Sequence, residues 1–324
     1  MNEIGVAIPF WLDRPDTEAL DIAVTADRLG YSTLWVGEMV TFDAFSLATA
    51  IGSHTSQIRL RVGPLAVGVR TPVGMALGLS SVERLTGSRV DVALGASSPT
   101  IVHDWHDRPW GKSAVKMRES VQVLRTILED GRADYAGKEV RTRGFRLRHA
   151  LPNRSVTVAA FGPEMTKVAA EEADEIVLNI VTPGLVARVR ETVYAHAKAA
   201  GRTPPRIAVW VSAALDPGPA SIHQLARQLV VYLKQPGYGE MFTELGYGEL
   251  VRRARSGACY ADLARDLPPE LLARVCMIGS AEQIASRVEA YHRAGADHVA
   301  LVPSTAEDPA GHCLLSAVAK EMNL

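Results

Sequence analysis

Eight short apolar runs alternating with helix-like segments predict an α/β chain, a single (β/α)8 TIM barrel over residues 1–324 with a helical insertion between strands 7 and 8. The strand-like runs are apolar at nearly every position, as parallel strands covered on both faces are. Glycine and proline punctuate the alternation. The length, 324 residues with 47% hydrophobic content, suits one large buried core.

In order, Ile4 to Phe10 (IGVAIPF) reads as the first strand and Thr17 to Leu29 as a helix closed by Gly30. Thr33 to Glu38 is the second strand and Ala44 to His54 the second helix. Ile58 to Val67 makes the third strand, interrupted by Gly63-Pro64, which a central strand accepts only at a bulge or an end. Pro72 opens the third helix, where its missing N–H costs nothing, and the helix ends near Gly87. The fourth strand, around Val90 to Leu94, ends at Gly95. Its helix runs from Ser113 to Glu129, with Met117, Val121, Leu124 and Leu128 on one face.

Gly131 to Asn153 lacks periodicity and carries five arginines, which suggests a small hairpin over the rim rather than a linker. Val156 to Phe161 is the fifth strand, Glu175 to Val181 the sixth, followed by a helix to Ala200, and Arg206 to Leu215 the seventh. Residues 216–270 break the rhythm. Leu225, Leu229 and Leu233 indicate helix, PGYGEM and GYG interrupt it, and the segment reads as an insertion covering the carboxyl-end face. Ser280 and Gln283 then form a capping box, Gly295 ends the helix, and His298 to Pro303 is the last strand.

In such a barrel an active site lies at the carboxyl ends of the strands. The stretch Arg89 to Trp110 fits that place, because a buried strand runs into small residues (Gly95, Ala96, Ser97, Ser98) and then into His103, Asp104, Trp105, His106 and Trp110. The small residues let backbone amides approach a ligand closely. His103 and His106 are the best acid–base candidates, since imidazole titrates near neutrality. The competing reading is a βα loop whose aromatic residues only pack.

The formal charge of -1, from 35 Lys+Arg against 36 Asp+Glu, gives no electrostatic case for a nucleic-acid or membrane partner. Cys259, Cys276 and Cys313 are too scattered for a disulfide framework or a zinc site, and no metal is expected. A short, acidic amino terminus and the lack of about 20 consecutive apolar residues lead to the expectation of an unprocessed cytoplasmic protein.

The order and spacing of TLWVGE, IRLRVGPLAVGVRTP, VDVALGASSP, VTVAAFGPEM, ADEIVLN and GSAEQIASRVEAYHRAGADHVALVP, spanning nearly the whole chain, resemble the bacterial luciferase-like superfamily. More narrowly, they resemble its branch that uses the deazaflavin coenzyme F-420. The resemblance implies a barrel with a reduced flavin or deazaflavin at its open end. It also implies a bulge in Val62, Gly63, Pro64, Leu65 and Ala66 that backs the ring, often with a cis peptide. A Gly63-Pro64 bond makes cis cheaper than elsewhere, yet trans is the commoner form and is the expectation. Ala160, Phe161, Gly162 and Pro163 match the family's phosphate-contacting turn, and free amides at a helix start favour an anion there. Gly95 to Ser98 would add amides. Glu38 falls where relatives carry an acidic residue near the ring; by itself it is equally a rim carboxylate paired to an arginine.

The chain departs from the sugar-phosphate dehydrogenase branch at Met39 and Thr100, where that branch has His and Glu, and Val181, Thr182, Pro183 lack a phosphate-binding lysine. Phe10, Trp11, Met39, Phe42, Trp105 and Trp210 point to an apolar or aromatic substrate instead. Three functions compete: hydride transfer with coenzyme F-420, an FMN-dependent monooxygenase on the same barrel, and a non-catalytic flavin-binding barrel. Apolar segments Ala44 to His54 and Pro72 to Leu85 favour a homodimer, and light scattering at micromolar concentration should return twice the monomer mass.

Overall fold

The computed structural model describes residues 2–324. Eight parallel strands close a barrel: β1 (Glu3–Ala7), β2 (Thr33–Val36), β3 (Arg59–Ala66), β4 (Val90–Gly95), β5 (Val156–Ala159), β6 (Glu175–Asn179), β7 (Arg206–Leu215) and β8 (His298–Pro303). β8 pairs with both β7 and β1, and β7 with β6, so the ring has no open edge. The helices α1 (Glu18–Arg28), α2 (Ala44–Gly52), α3 (Pro72–Thr86), α4 (Ser113–Asp130), α5 (Pro163–Glu172) and α6 (Pro183–Ala199) follow the first six strands. The expected terminators are present: Gly87 caps α3 in the left-handed conformation, and Ser280 and Gln283 form a reciprocal capping box on the helix Ala281–Arg293.

Several strands are shorter than expected at their carboxyl ends. β1 stops at Ala7 rather than Phe10, because the strands diverge at the barrel mouth and Pro9 has no N–H to continue a ladder. Residues 131–153 do form a hairpin, Arg132–Ala136 with Arg141–Arg146. It lies along α4, whose Glu119 carboxylate accepts the N–H groups of Lys138, Glu139 and Val140 at 2.8 Å each.

After β7 come α7 (Pro219–Val230) and the short helices Tyr238–Phe242, Gly248–Arg255, Tyr260–Arg265 and Pro269–Val275. Two elements escaped the sequence pattern. Met277–Gly279 adds a short strand beside the end of β7, and His312–Met322 is a closing helix packed near α1. Among the described residues no helix is long and apolar enough to cross a membrane.

The strands bury two different faces. Val6, Leu34, Val92 and Val158 face the helices in the large outer core, while Ala7, Trp35, Ala93, Val177, Ala208, Trp210, Ala300 and Val302 form a separate cluster inside the barrel. Most of the interior residues are small, and Trp35 and Trp210 fill the remaining volume edge to face at 5.3 Å. Toward the amino ends the interior turns ionic. Arg61 of β3 pairs with Glu175 of β6, donates to the Thr157 hydroxyl at 3.1 Å, lies 3.7 Å from Asp91, and rests 4.7 Å from the Trp35 ring centre. Burial pushes the Arg61 pKa down to about 10, partly offset by Asp91, which leaves the guanidinium charged at neutral pH.

His298 completes this cluster, fully buried, with Nδ1 4.0 Å from Glu175 Oε1 and neither ring nitrogen hydrogen-bonded. Burial, then the positive charges of Arg61, Arg206 and Arg59, hold its pKa well below 6.5. The unfolded chain therefore binds a proton here that the folded chain refuses. Stability should be independent of this group above about pH 6.5 and fall on acidification below it, by up to about 1.4 kcal/mol per pH unit. Denaturant titrations from pH 8 to 5 on the native protein and on His298→Asn should show this slope only in the former; equal slopes would refute the assignment.

Candidate active site at the carboxyl ends of the strands

The floor of the barrel mouth is made where side chains are smallest. In β3 the pairing register with β4 shifts between Val62 and Leu65, so Gly63 and Pro64 together oppose Ala93, a bulge of two residues against one. Gly63 has φ +120°, and a Cβ there would sit 2.1 Å from the Ala93 carbonyl oxygen. The Gly63-Pro64 bond is cis, against the expectation from the sequence. Pro64 fits because Gly95 has no side chain: a Cβ on Gly95 would lie 3.1 Å from that of Pro64 and 3.8 Å from that of Ala159. Gly37 completes the floor, and Phe10 lies over it. Val62 and Leu65 turn their side chains into the outer core, so at this face they offer backbone only, while Ala66 is half-buried.

Beside this floor, β4 runs into a tight turn. The Gly95 carbonyl accepts the Val67 N–H at 3.0 Å, Ser97 has φ +66°, and the Ser98 hydroxyl accepts the Ile101 N–H at 3.3 Å. Ala96 is half-buried at the start of this turn. Thr100–Trp105 then forms a π-helical turn rather than an irregular loop, anchored by buried Val102 against Gly68. The winding leaves His103, Trp105 and His106 exposed, with His103 Nδ1 3.0 Å from Asp104.

On the β2 side, Glu38 is the rim carboxylate. It pairs with Arg70, which also meets Asp43, and accepts the Ala44 N–H at 3.3 Å. Asp43 caps α2 through the Ser46 N–H. Hydrogen bonds donated to Glu38, then the two carboxylate charges, raise the Arg70 pKa against the effect of burial. Met39 is exposed, Phe42 packs on the outer core, and the Trp11 indole N–H donates to the Pro303 carbonyl at 3.0 Å. Trp210 is buried against Trp35, below the mouth.

The β5 exit provides a helix start without a cap. Ala160 is buried, Gly162 has φ +80° with nothing within 4 Å of its Cβ position, Pro163 is the first residue of α5, and no side chain caps the helix. Phe161 stacks on Tyr238 of the insertion at 4.3 Å, and Tyr238 meets Tyr232 at 4.9 Å. Asn179, at the end of β6, donates its amide N–H to the Tyr232 oxygen at 3.2 Å. Burial raises the pKa of both tyrosines, opposed in each case by Asn179. Opposite, Gln224 of α7 fixes the β8 exit, accepting from the Ser304 hydroxyl at 2.7 Å and the Thr305 N–H at 2.9 Å.

Phe10, Pro64 and Gly95, all expected from the sequence, thus gather at one floor, with Gly37 and Ala159. His103, His106, Trp105 and Met39 stand outside it. Asn179, Tyr232 and Tyr238 were not anticipated, and the arginine foreseen as a partner of Glu38 is Arg70; PGYGEM, which contains Tyr238, was visible only as a helix interruption.

Residues 10–298 match the family model described as luciferase-like monooxygenase. The chain belongs to that family. This luciferase-like chain is 21% identical to a protein named as a coenzyme F-420-dependent oxidoreductase in Mycobacterium tuberculosis, over 94% of the chain and 96% of the relative. Its fold is that of coenzyme F-420-dependent tetrahydromethanopterin reductase from Methanopyrus kandleri, with TM-score 0.84, 18% identity and 98% of each chain covered. An F-420-dependent secondary alcohol dehydrogenase, solved with an F-420–acetone adduct, overlays with TM-score 0.80 at 16% identity, covering 98% of this chain and 97% of that one.

The residues fit an anionic cofactor of the kind the family implies. The bulge seats Pro64 against Gly95, and at the β5 exit Gly162 has open space at its Cβ position beside the uncapped amides of α5, which favour a phosphate.

Proposed function

We propose that this luciferase-like chain is an oxidoreductase that transfers a hydride between coenzyme F-420 and a small, apolar or aromatic organic substrate. The observation that carries the reading is the β3 bulge, with Pro64 against Gly95 and Ala159, joined to the open, uncapped start of α5, an arrangement suited to a ring and its phosphate tail. When bound, the deazaflavin supplies a two-electron hydride carrier. The chain's own work is positioning. With the coenzyme bound, the bulge would back its ring, and the stacked Phe161 and Tyr238 and the Phe10 ring over Gly37 would border the site. His103, on the π-helical turn beside Asp104, and His106, just after it, are exposed and stand away from the floor.

Fluorescence titrations of the cofactor-free protein with coenzyme F-420, and with reduced FMN under nitrogen, test the reading. Saturable binding of the deazaflavin with at least tenfold weaker FMN binding is expected. Preference for FMN would favour oxygen chemistry instead, and binding of neither would overturn the assignment. Turnover of glucose 6-phosphate would refute the apolar substrate class, since Val181, Thr182 and Pro183 offer no cation to a phosphate.

A further inference from the structure

The inward positions of the upper barrel are Ala7, Gly37, Ala93, Gly95, Ala159, Val177, Ala208, Ala300 and Val302, with two polar exceptions on β6 and β7. One of these, Ser212, already donates its hydroxyl to Gln228 at 2.8 Å. The other is Asn179. Its amide N–H is taken by the Tyr232 oxygen, and because that oxygen is the acceptor, the Tyr232 O–H proton has no acceptor within the protein. In direct register with Asn179 on β7, the Trp210 indole N–H is buried and also unpartnered.

Donors of this kind in apolar surroundings cost free energy unless something accepts their hydrogens. Asn179 and Trp210 sit on β6 and β7, across the ring from the β3 bulge, and Tyr232 follows α7. Tyr232 is held in place by its edge contact with Tyr238, itself stacked on Phe161, so its hydroxyl is not free to turn away.

We infer that Asn179 and Tyr232, with Trp210 beside them, form an oxygen anchor: a site for the carbonyl or hydroxyl oxygen of an otherwise apolar ketone or secondary alcohol. The inference rests on the proposed hydride transfer and supplies the substrate class that reading leaves open. In ketone reduction the carbon gains the hydride from the reduced coenzyme, the C=O electron pair moves to oxygen, and oxygen gains a proton from water. Tyr232 donates its O–H to that oxygen and orients the carbon toward the floor, while Asn179, donating to the Tyr232 oxygen, holds the hydroxyl in place; they are positioning residues. Burial keeps the Tyr232 hydroxyl protonated, and therefore a donor, throughout the neutral range.

Cyclohexanone and methylenecyclohexane, which differ only in =O against =CH2, are the probes. Their dissociation constants would be measured by saturation-transfer NMR on the full-length protein with and without coenzyme F-420, alongside coenzyme affinity and the thermal midpoint. The native protein should bind the ketone about fivefold more tightly than the alkene. Tyr232→Phe and Asn179→Ala should each bring the two to near parity with coenzyme affinity unchanged. Equal binding of the two probes by the native protein, or a ketone preference that survives both substitutions, would overturn the anchor. A ketone preference that Tyr232→Phe abolishes in a protein that does not bind the coenzyme would leave the anchor standing and sink the hydride-transfer reading.

Discussion

Replacing Arg61 by methionine should lower the unfolding free energy by about 3–5 kcal/mol, because it leaves Glu175 and Asp91 buried without their cation. The surroundings make escape difficult. Glu175 lies inside the barrel, its Oε1 has no hydrogen-bond partner, and its other oxygen accepts only from the Thr157 hydroxyl beyond the guanidinium. Asp91 keeps the Ser155 N–H at 2.9 Å, so Glu175 bears most of the loss. Urea denaturation should show a lower midpoint with an unchanged slope. Arg61→Met combined with Glu175→Met should recover much of the deficit, since apolar residues of similar volume replace a buried pair at little cost. A single variant as stable as the native protein would mean that water reaches this layer and that the cluster is not desolvated.

Gly63→Ala should be the most damaging single change at the mouth. The alanine methyl would fall 2.1 Å from the Ala93 carbonyl oxygen at φ +120°, so the bulge and β4 cannot both keep their places. A cost of at least about 2–3 kcal/mol is expected from backbone strain and displaced pairing. The floor of Pro64 and Gly95 should move with it, weakening coenzyme F-420 binding at least tenfold. Gly257→Ala is the control, also at positive φ (+88°) but with nothing within 4 Å of the new methyl. It should cost only about 1–2 kcal/mol and leave coenzyme affinity alone. Equal effects of the two substitutions would show that conformation, not contact with β4, sets the requirement for glycine at position 63.

The barrel was legible because its signals are local. Apolar runs, the Ser280–Gln283 capping box, and the glycines ending α3 and the last βα helix each act within one or two turns of chain. The resemblance to the luciferase-like family located the β3 bulge and the β5 exit, and both are at the mouth. Met277–Gly279 was missed because three residues carry no period, and that strand exists only by pairing with the long end of β7. Asn179 read as one more strand residue, since its partner Tyr232 stands 53 positions later.

His103 and His106 show the limit from the other side. Their place just after a strand's carboxyl end suggested chemistry, but the π-helical winding that directs them outward depends on Val102 packing against Gly68, a contact between neighbouring loops. The same holds for the interior ions. Arg61, Asp91, Glu175 and His298 come from four strands, and only closure of the ring turns them toward one another. The sequence by itself determined the kind of barrel and the end at which a ligand would enter, because backbone periodicity and capping are decided within a few residues. The tertiary structure alone decided which polar groups face that ligand, because their partners are distant in the chain and meet only when eight strands close.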